Sequence, residues 1–226
     1  MEIRYYNEYS QCLNRDMDFI VYGHTGIPIL VFPAQDGHCQ DYENFGMVDT
    51  IKDKIEQGLV QLFCVESVDE ESYSDEMGNP AHRSYILEQF YYHICDEMVP
   101  RIHEINGTGK MIYTTGCSLG ATHAANMMLR RPDLFMGCIG LSGYYDTDLF
   151  FGQYVDENIY NNSPLKYLNG MSSNHPYVAL YNQRKIILCC GQGAWEDEMV
   201  KSTGLMKETF DRLGVHAWTD FWGYDV

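Results

Sequence analysis

The chain has 226 residues, 45% of them hydrophobic, which suits one domain with a sizeable core. Its formal net charge is −17, and such a field repels phosphate backbones and anionic lipids, so nucleic acid and membrane surfaces are not expected partners. The N-terminus lacks the apolar core of a signal peptide, no run of about 18 apolar residues occurs, and the eight cysteines include no CxxC pair. We therefore expect a cytoplasmic protein with reduced thiols and no zinc site.

The first part of the chain predicts strands at residues 3–9, 17–22 and 27–32. The apolar run Ile29-Leu30-Val31-Phe32 is typical of a strand buried on both faces, and Pro33 ends it. A loop over residues 34–41 follows. It precedes a predicted helix at residues 43–56 and a further strand at residues 59–65.

The remainder of the chain alternates between helices and strands. A long helix is predicted from about residue 82 to 105, because apolar residues recur there every four positions, as Ile86, Phe90, Ile94, Met98 and Ile102. Its histidines, His93 and His103, are expected to be surface or packing residues. The later predicted elements are strands at 110–115, 136–141, 185–190 and 215–221, helices at 121–131 and 195–213, and an insertion of short helices at 147–182. An alternating pattern after an antiparallel start predicts an α/β fold, a three-layer α/β/α sandwich whose sheet is mostly parallel.

The most specific motif is Gly116-Cys117-Ser118-Leu119-Gly120, which lies between a predicted strand and a predicted helix. A G-x-S-x-G sequence in this context is the nucleophile elbow of α/β-hydrolases. The two glycines allow a sharp turn and close strand–helix packing. Ser118 then stands at a helix N-terminus, whose N–H groups favour a developing negative charge. The alternative is that Ser118 is an ordinary helix N-cap.

With these motifs the chain resembles the Putative esterase family of α/β-hydrolases. That family includes S-formylglutathione hydrolases, feruloyl and acetyl-xylan esterases, siderophore esterases and mycolyltransferases. The resemblance extends over nearly the whole chain, and the segments that carry it are Leu30-Val31-Phe32-Pro33, the elbow, Leu141-Ser142-Gly143-Tyr144 and residues 190–197. It implies one α/β-hydrolase domain over residues 1–226, with a lid-like insertion around residues 147–182.

The resemblance also implies a nucleophile and an oxyanion hole. Ser118 would be the nucleophile, and its hydroxyl needs a histidine to remove the proton. The backbone N–H of Leu119 would supply half of the oxyanion hole. The other half would come from the loop after the third strand, from Gln35 first, with Ala34 or Asp36 as alternatives. An ordinary turn is the other interpretation of that loop.

The third group implied is a catalytic acid, expected in the loop after residue 190 in the chain order serine, acid, histidine. Glu196 is favoured because it lies three residues past Gly193, a common spacing in this fold. Asp197 is the alternative, although it can instead lie in the first turn of the next helix, where the helix dipole favours a carboxylate. The expected histidine loop and closing helix are not found in the sequence, and His216 alone follows Glu196. Either the sequence is part of a longer enzyme, or the protein has lost hydrolysis, or His38 or His123 replaces the base.

The resemblance implies a serine carboxylester hydrolase that acts on a short acyl or aryl ester, including sugar-linked esters. Two other functions stay open: a catalytically silent binding protein, and an acyltransferase with the same nucleophile. Tyr144 and Tyr145 are expected substrate contacts, together with aromatic residues of the insertion. No metal or cofactor is expected, a small ester is the expected partner, and a homo-oligomer is left open.

Overall fold

The computed structural model describes residues 1–224, and eight strands within them form one sheet with the order β1-β2-β4-β3-β5-β6-β7-β8. The strands are β1 (Ile3–Ser10), β2 (Arg15–Tyr22), β3 (Ile27–Phe32), β4 (Val60–Val65), β5 (Ile112–Cys117), β6 (Phe135–Leu141), β7 (Lys185–Cys190) and β8 (Trp218–Phe221). The β1–β2 and β2–β4 pairs are antiparallel, whereas every pair from β4 to β8 is parallel. The predicted α/β sandwich with an antiparallel start is confirmed.

Helices lie on both faces of this sheet. They are α1 (Asp41–Asn44), α2 (Met47–Thr50), α3 (Lys52–Glu56), α4 (Pro80–Tyr92), α5 (Val99–Asn106), α6 (Leu119–Arg130), α7 (Asp148–Phe151), α8 (Glu157–Asn161), α9 (Pro164–Asn169), α10 (Pro176–Tyr181) and α11 (Asp197–Leu213). A short 3₁₀ helix occupies Asp69–Glu71, and a π-helix, His93–Met98, joins α4 to α5. None of the helices within residues 1–224 is both long and apolar enough to cross a bilayer.

The two faces of the sheet have separate cores. The larger core joins the inward faces of α4 to α6 and α9 to α11 to strand residues such as Phe32, Cys138 and Leu188. The smaller core lies on the opposite face, where α1 to α3 cover Val31 and Leu62. Because β3, β5, β6 and β7 are parallel, their carboxyl ends lie at the same edge of the sheet.

Two predicted helices differ from the structure. The predicted helix at 43–56 is three short helices, because Gly46 has a φ of 79° and ends the first of them. The predicted helix at 82–105 is interrupted by the wide π turn directly before Pro100. Because proline has no N–H and its ring crowds the preceding turn, a widened turn accommodates it within a continuous run. The buried stripe from Phe90 to Ile102 is confirmed.

Two strand boundaries also differ. The predicted strand at 110–115 begins at Ile112 and continues to Cys117, directly before Ser118. The predicted last strand at 215–221 begins only at Trp218. Before that residue the chain makes a tight local turn, in which the N–H of Ala217 donates to the carbonyl of Val215 at 3.1 Å.

Candidate active site

The elbow is a strained turn between β5 and α6. Ser118 has φ 55° and ψ −124°, a conformation that is rare for a residue with a side chain. A Cβ at Gly116 would lie 2.4 Å from the carbonyl carbon of Gly120, so a larger residue cannot be accommodated there without movement. The Ser118 N–H donates to Leu141 O at 2.9 Å and ties the elbow to the end of β6. Ser118 is thus held at the carboxyl edge of the sheet, directly before the first turn of α6.

The loop after β3 lies against the other side of the elbow. A Cβ at Gly120 would lie 2.3 Å from Pro33 O and 2.5 Å from Phe32 O, so the start of α6 touches the main chain of this loop. Residues 34–37 form a turn in which Gly37 N–H donates to Ala34 O at 2.9 Å. The N–H groups of a helix's first turn have no acceptor within the helix. The N–H of Leu119, the first residue of α6, therefore makes no hydrogen bond within α6. The structure therefore packs the start of α6, one residue after Leu119, against the end of β3 and the beginning of the loop that contains Gln35.

Glu196 is held over the end of β7 by three neighbours. Ser142 Oγ donates a hydrogen bond to Glu196 Oε1, and Gly193 N–H donates to Oε2 at 3.0 Å. A Cβ at Gly191 would lie 2.3 Å from Oε2, so the carboxylate lies on the main chain of the loop. Asp197 is exposed and begins α11. The geometry thus fixes Glu196 in position, whereas Asp197 faces solvent.

The Glu196 carboxylate acts electrostatically on the elbow. Burial raises the pKa of the Cys117 thiol, and the negative charge of Glu196 raises it further. Burial and the same carboxylate also raise the pKa of Cys190. The charge of Glu196 therefore acts on the thiols of Cys117, directly before Ser118, and of Cys190, at the end of β7.

Strain is concentrated at this edge. Five non-glycine residues of the described chain have a positive φ, and four of them follow β3, β5, β6 and β7: Asp36, Ser118, Ser142 and Trp195. Such conformations cost roughly 1–3 kcal/mol each and cluster at functional sites. The strained residues therefore lie at the same edge of the sheet as the G-x-S-x-G motif.

Aromatic side chains of the insertion form one wall beside the elbow. Leu119 packs in a cluster with Tyr73, Phe151 and other apolar residues, and Phe150 lies against that cluster. The Tyr144 ring meets Phe150 edge-on, with ring centroids 6.2 Å apart. Tyr144, a predicted substrate contact, thus packs against Phe150 of this wall.

Tyr145, the second predicted substrate contact, does not line the surface. It is completely buried, and a Cβ at Gly143 would touch its ring. Its N–H donates to Ser202 Oγ at 2.7 Å, which ties this loop to α11. Tyr145 therefore packs inside the fold, and its expected role in binding is corrected to one in packing.

Arg83 is a residue that the sequence analysis missed. Its guanidinium donates to the carbonyls of Ser72, Tyr73 and Phe150 at 2.7, 2.8 and 3.0 Å, and it lies 4.3 Å from the centroid of the Phe151 ring. Burial lowers its pKa. One buried cation thus joins the loop after β4 to the insertion that carries the aromatic wall. No sequence signal identified it, because its partners are main-chain carbonyls.

The histidines are engaged elsewhere. His123 Nε2 lies 2.9 Å from Asp69 Oδ1 inside the fold, and His38 contacts Glu66, which raises the pKa of His38. His216 is exposed and precedes β8, at the edge opposite Ser118. Among the hydrogen bonds of residues 1–224, none joins a histidine to Ser118. No three His, Cys, Asp or Glu side chains in that range are grouped as a metal site requires.

The fold and the site geometry define a protein of the α/β-hydrolase class. The Esterase family model, described as "Putative esterase", matches residues 10–222, and the chain belongs to that family. Family membership supports hydrolase activity of the carboxylesterase type. No curated protein matches the sequence.

Solved structures of esterases and hydrolases share the fold. A ferulic acid esterase is 15% identical with a TM-score of 0.76, over 99% of this chain and 91% of its own. An S-formylglutathione hydrolase from Agrobacterium tumefaciens is 13% identical with a TM-score of 0.72, over 98% of this chain and 86% of its own. FphF, a fluorophosphonate-binding serine hydrolase from Staphylococcus aureus, is 15% identical with a TM-score of 0.65, over 100% of this chain and 92% of its own.

Proposed function

We propose that this chain is a serine carboxylester hydrolase that cleaves short acyl or aryl esters through an acyl-enzyme on Ser118. The observation that carries the proposal is the position of Ser118, held at φ 55° where β5 meets α6, with the β3 loop packed against Gly120. In that arrangement the hydroxyl would lie beside the main-chain N–H groups of the first turn of α6 and of the loop after β3. The aromatic wall at Tyr144 and Phe150 favours acyl or aryl groups over highly charged ones.

In the proposed reaction a base removes the Ser118 proton while Oγ attacks the ester carbonyl carbon. The carbonyl oxygen becomes an oxyanion, which accepts hydrogen bonds from the N–H groups of Leu119 and Gln35. Each such donor contributes roughly 3–4 kcal/mol in other hydrolases. The bond to the alcohol oxygen then breaks, the alcohol takes the proton from the base, and water repeats the sequence to release the acid.

The catalytic base is the group not found beside Ser118: within the described residues, no histidine is hydrogen-bonded to that serine. His38 and His123 contact carboxylates and His216 lies at the opposite edge of the sheet, which supports the expectation that this chain hydrolyses esters slowly. A serine enzyme without its base retains only the contributions of the oxyanion hole and of binding. A small imidazole in solution can replace the missing side chain, provided that space remains between Ser118 and Glu196.

The test is the hydrolysis of p-nitrophenyl acetate by this chain with and without added imidazole. The matched variants are Ser118→Ala and, as control, Ser172→Ala, which removes an exposed hydroxyl of the insertion. We expect imidazole to stimulate the wild type and the control well above the imidazole-only rate, but not Ser118→Ala. The acetyl group should be found on Ser118 by peptide mass spectrometry. Equal stimulation of all three proteins would overturn the proposal.

Turnover without imidazole tests the absent base separately. A rate near that of ordinary esterases, on the order of 10 per second, would show that a base is already in place. It would leave Ser118 as the nucleophile only if Ser118→Ala removed that rate as well.

Two isosteric variants distinguish the candidate acids. Glu196→Gln keeps the shape of the side chain but removes the charge that stabilises a cationic imidazole. We expect it to lower the imidazole-stimulated rate by at least tenfold, whereas Asp197→Asn leaves it unchanged. The reverse result would assign the acid to Asp197.

A silent binding protein is the second candidate, favoured by the absence of a histidine hydrogen-bonded to Ser118 within the described residues. It predicts saturable ester binding with no Ser118-dependent turnover, even with imidazole. An acyltransferase would share every step up to the acyl-enzyme, so it is distinguished by adding an acceptor alcohol and measuring transfer against hydrolysis.

A further inference from the structure

Helix α4 holds the first half of the insertion by polar side chains on its buried side. Three side chains there hydrogen-bond the insertion: Arg83 with Phe150 O at 3.0 Å, Ser84 with Asp156 Oδ2 at 2.6 Å, and Glu88 with Asn162 Nδ2 at 2.8 Å. All three are buried. Residues four apart in a helix lie on the same side, so Ser84 and Glu88 form one row with Arg83 beside it. The insertion is therefore tied to a helix that packs on the sheet.

Arg83 differs from the other two side chains because it joins two separate segments. Its Nε donates to Ser72 O at 2.7 Å, and its Nη2 donates to Tyr73 O at 2.8 Å, both in the loop after β4. The same Nη2 donates to Phe150 O in the insertion. Because the guanidinium is planar and rigid, all three carbonyls must stay within hydrogen-bond length of one fixed group. Arg83 therefore sets the distance between the loop after β4 and the insertion.

The charge of Arg83 is compensated by main-chain oxygens alone. The side chain is 3% exposed, and although other arginines of residues 1–224 form salt bridges, Arg83 forms none. A buried charge is unfavourable unless hydrogen bonds compensate it, which the three carbonyls and the face of the Phe151 ring do here. An apolar side chain would fill the same space without that cost, which favours a role in fixing geometry over one in packing.

The two segments that Arg83 joins carry aromatic rings beside the elbow. The rings of Tyr73 and Phe150 meet edge-on, with centroids 5.0 Å apart. Tyr73 packs in the cluster that contains Leu119, the residue directly after the proposed nucleophile, whereas Phe150 belongs to the aromatic wall. A shift of one segment relative to the other would therefore change the distance between the elbow and the wall.

We propose that Arg83 is a positioning residue that sets the spacing between the elbow and the aromatic wall, and thereby selects the acyl group that the site accepts. This inference rests on the proposed function, because it places the acyl group against the wall. Arg83 acts through Phe150 and Tyr73 rather than by contact with the ester. A butyryl group is two methylenes longer than an acetyl group, and each methylene in a fitted pocket changes kcat/KM by about tenfold or more.

The first test compares p-nitrophenyl butyrate with p-nitrophenyl acetate, in the presence of imidazole, as the ratio of their kcat/KM values. Arg83→Met removes all the donors, and Arg83→Lys keeps the charge but not the planar fork. We expect both variants to lower the butyrate-to-acetate ratio by about tenfold or more, through a higher KM for butyrate at an unchanged kcat, because the wall binds ground state and transition state equally. Arg83→Lys keeps the buried charge and the aliphatic stem, so it decides the matter even if Arg83→Met does not fold.

Arg212→Met is the matched control. Arg212 in α11 also donates to main-chain carbonyls of the insertion, Leu168 O at 2.7 Å and Met171 O at 3.1 Å, but in its second half. The control should lower the Tm and leave the butyrate-to-acetate ratio unchanged. A ratio that Arg83→Lys leaves within about twofold of wild type, while Ser118-dependent hydrolysis persists, would overturn the proposal, as would an equal change of the ratio in Arg212→Met.

Hydrogen exchange followed by mass spectrometry tests the spacing without any substrate. Both joined segments contain main-chain hydrogen bonds, from Ser74 N to Asp69 O at 2.8 Å and from Phe151 N to Thr147 O at 3.0 Å. We expect both to exchange about tenfold faster or more in the Arg83 variants, and neither to change in Arg212→Met. If the wild type shows no Ser118-dependent hydrolysis, the proposed function fails and exchange alone decides: faster exchange in both segments supports Arg83 as their link, and unchanged exchange overturns it.

Discussion

Replacing Gly120 by alanine tests the contact on which the proposed oxyanion hole depends. The new Cβ would lie 2.3 Å from Pro33 O and 2.5 Å from Phe32 O, whereas real Cβ contacts are essentially never shorter than 3.0 Å. Both oxygens belong to the main chain at the end of β3, so they cannot rotate away, and the loop must move by about 0.7 Å or more. Overpacking of this kind costs about 1–3 kcal/mol.

The expected stability follows from two opposing effects. Alanine in a helix is favoured over glycine by about 1 kcal/mol, which offsets part of the overpacking cost. With main-chain atoms on both sides of the clash, we expect a net loss of about 2 kcal/mol in the free energy of unfolding. For a chain of this length that is a decrease in Tm of about 4–8 °C.

Gly204→Ala in α11 is the matched control, because a Cβ there meets nothing within 4 Å. It should raise the free energy of unfolding by up to about 1 kcal/mol. Urea unfolding followed by circular dichroism measures both variants. If Gly120→Ala proves as stable as wild type, the β3 loop does not touch α6, and the assignment of Gln35 to the oxyanion hole loses its support.

Two further predictions concern strain and pH. Ser118→Gly should be more stable than Ser118→Ala by about 1 kcal/mol in thermal unfolding, since only glycine relieves a φ of 55°; equal Tm values would contradict the strain. Burial raises the pKa of Glu97, but hydrogen bonds from Ser10, His93 and the N–H of Cys12 outweigh it and lower the pKa from 4.5 to about 2. Because the folded value is the lower one, this stabilisation is present above pH 4.5 and is lost as the pH falls towards 2. Glu97→Gln should therefore remove on the order of 3 kcal/mol of unfolding free energy at pH 7 and flatten its acid dependence, and an unchanged acid midpoint would contradict this.

The positions of most strands and the sharp turn at residues 116–120 could be predicted because the local sequence determines both. Buried parallel strands are continuous apolar runs, and the elbow is a pentapeptide whose glycines have one geometric purpose. Helix continuity was harder to predict. Gly46 and Pro100 each occur within an apolar pattern that otherwise fits a helix, and periodicity does not register a local break or a widened turn.

The supporting contacts of the site could not be predicted, because they join residues far apart in the chain. Ser142 and Glu196 are 54 residues apart, and Arg83 contacts a carbonyl 67 residues away. Tyr145 failed for a different reason. It follows a strand end, where alternation no longer determines which side a residue faces, and its ring points into the core.

The strain at the site edge is costly on the scale of folding. Four residues in rare backbone conformations, at about 1–3 kcal/mol each, oppose a net stability that is typically only 5–15 kcal/mol. Glycine would relieve that cost at each position, yet two of the four are serines. One hydroxyl, that of Ser118, is the proposed nucleophile, and the other, that of Ser142, holds the carboxylate of Glu196. Two of the four strained residues therefore carry side chains that the proposed reaction uses, which is why glycine at those two positions would relieve strain but remove the hydroxyl.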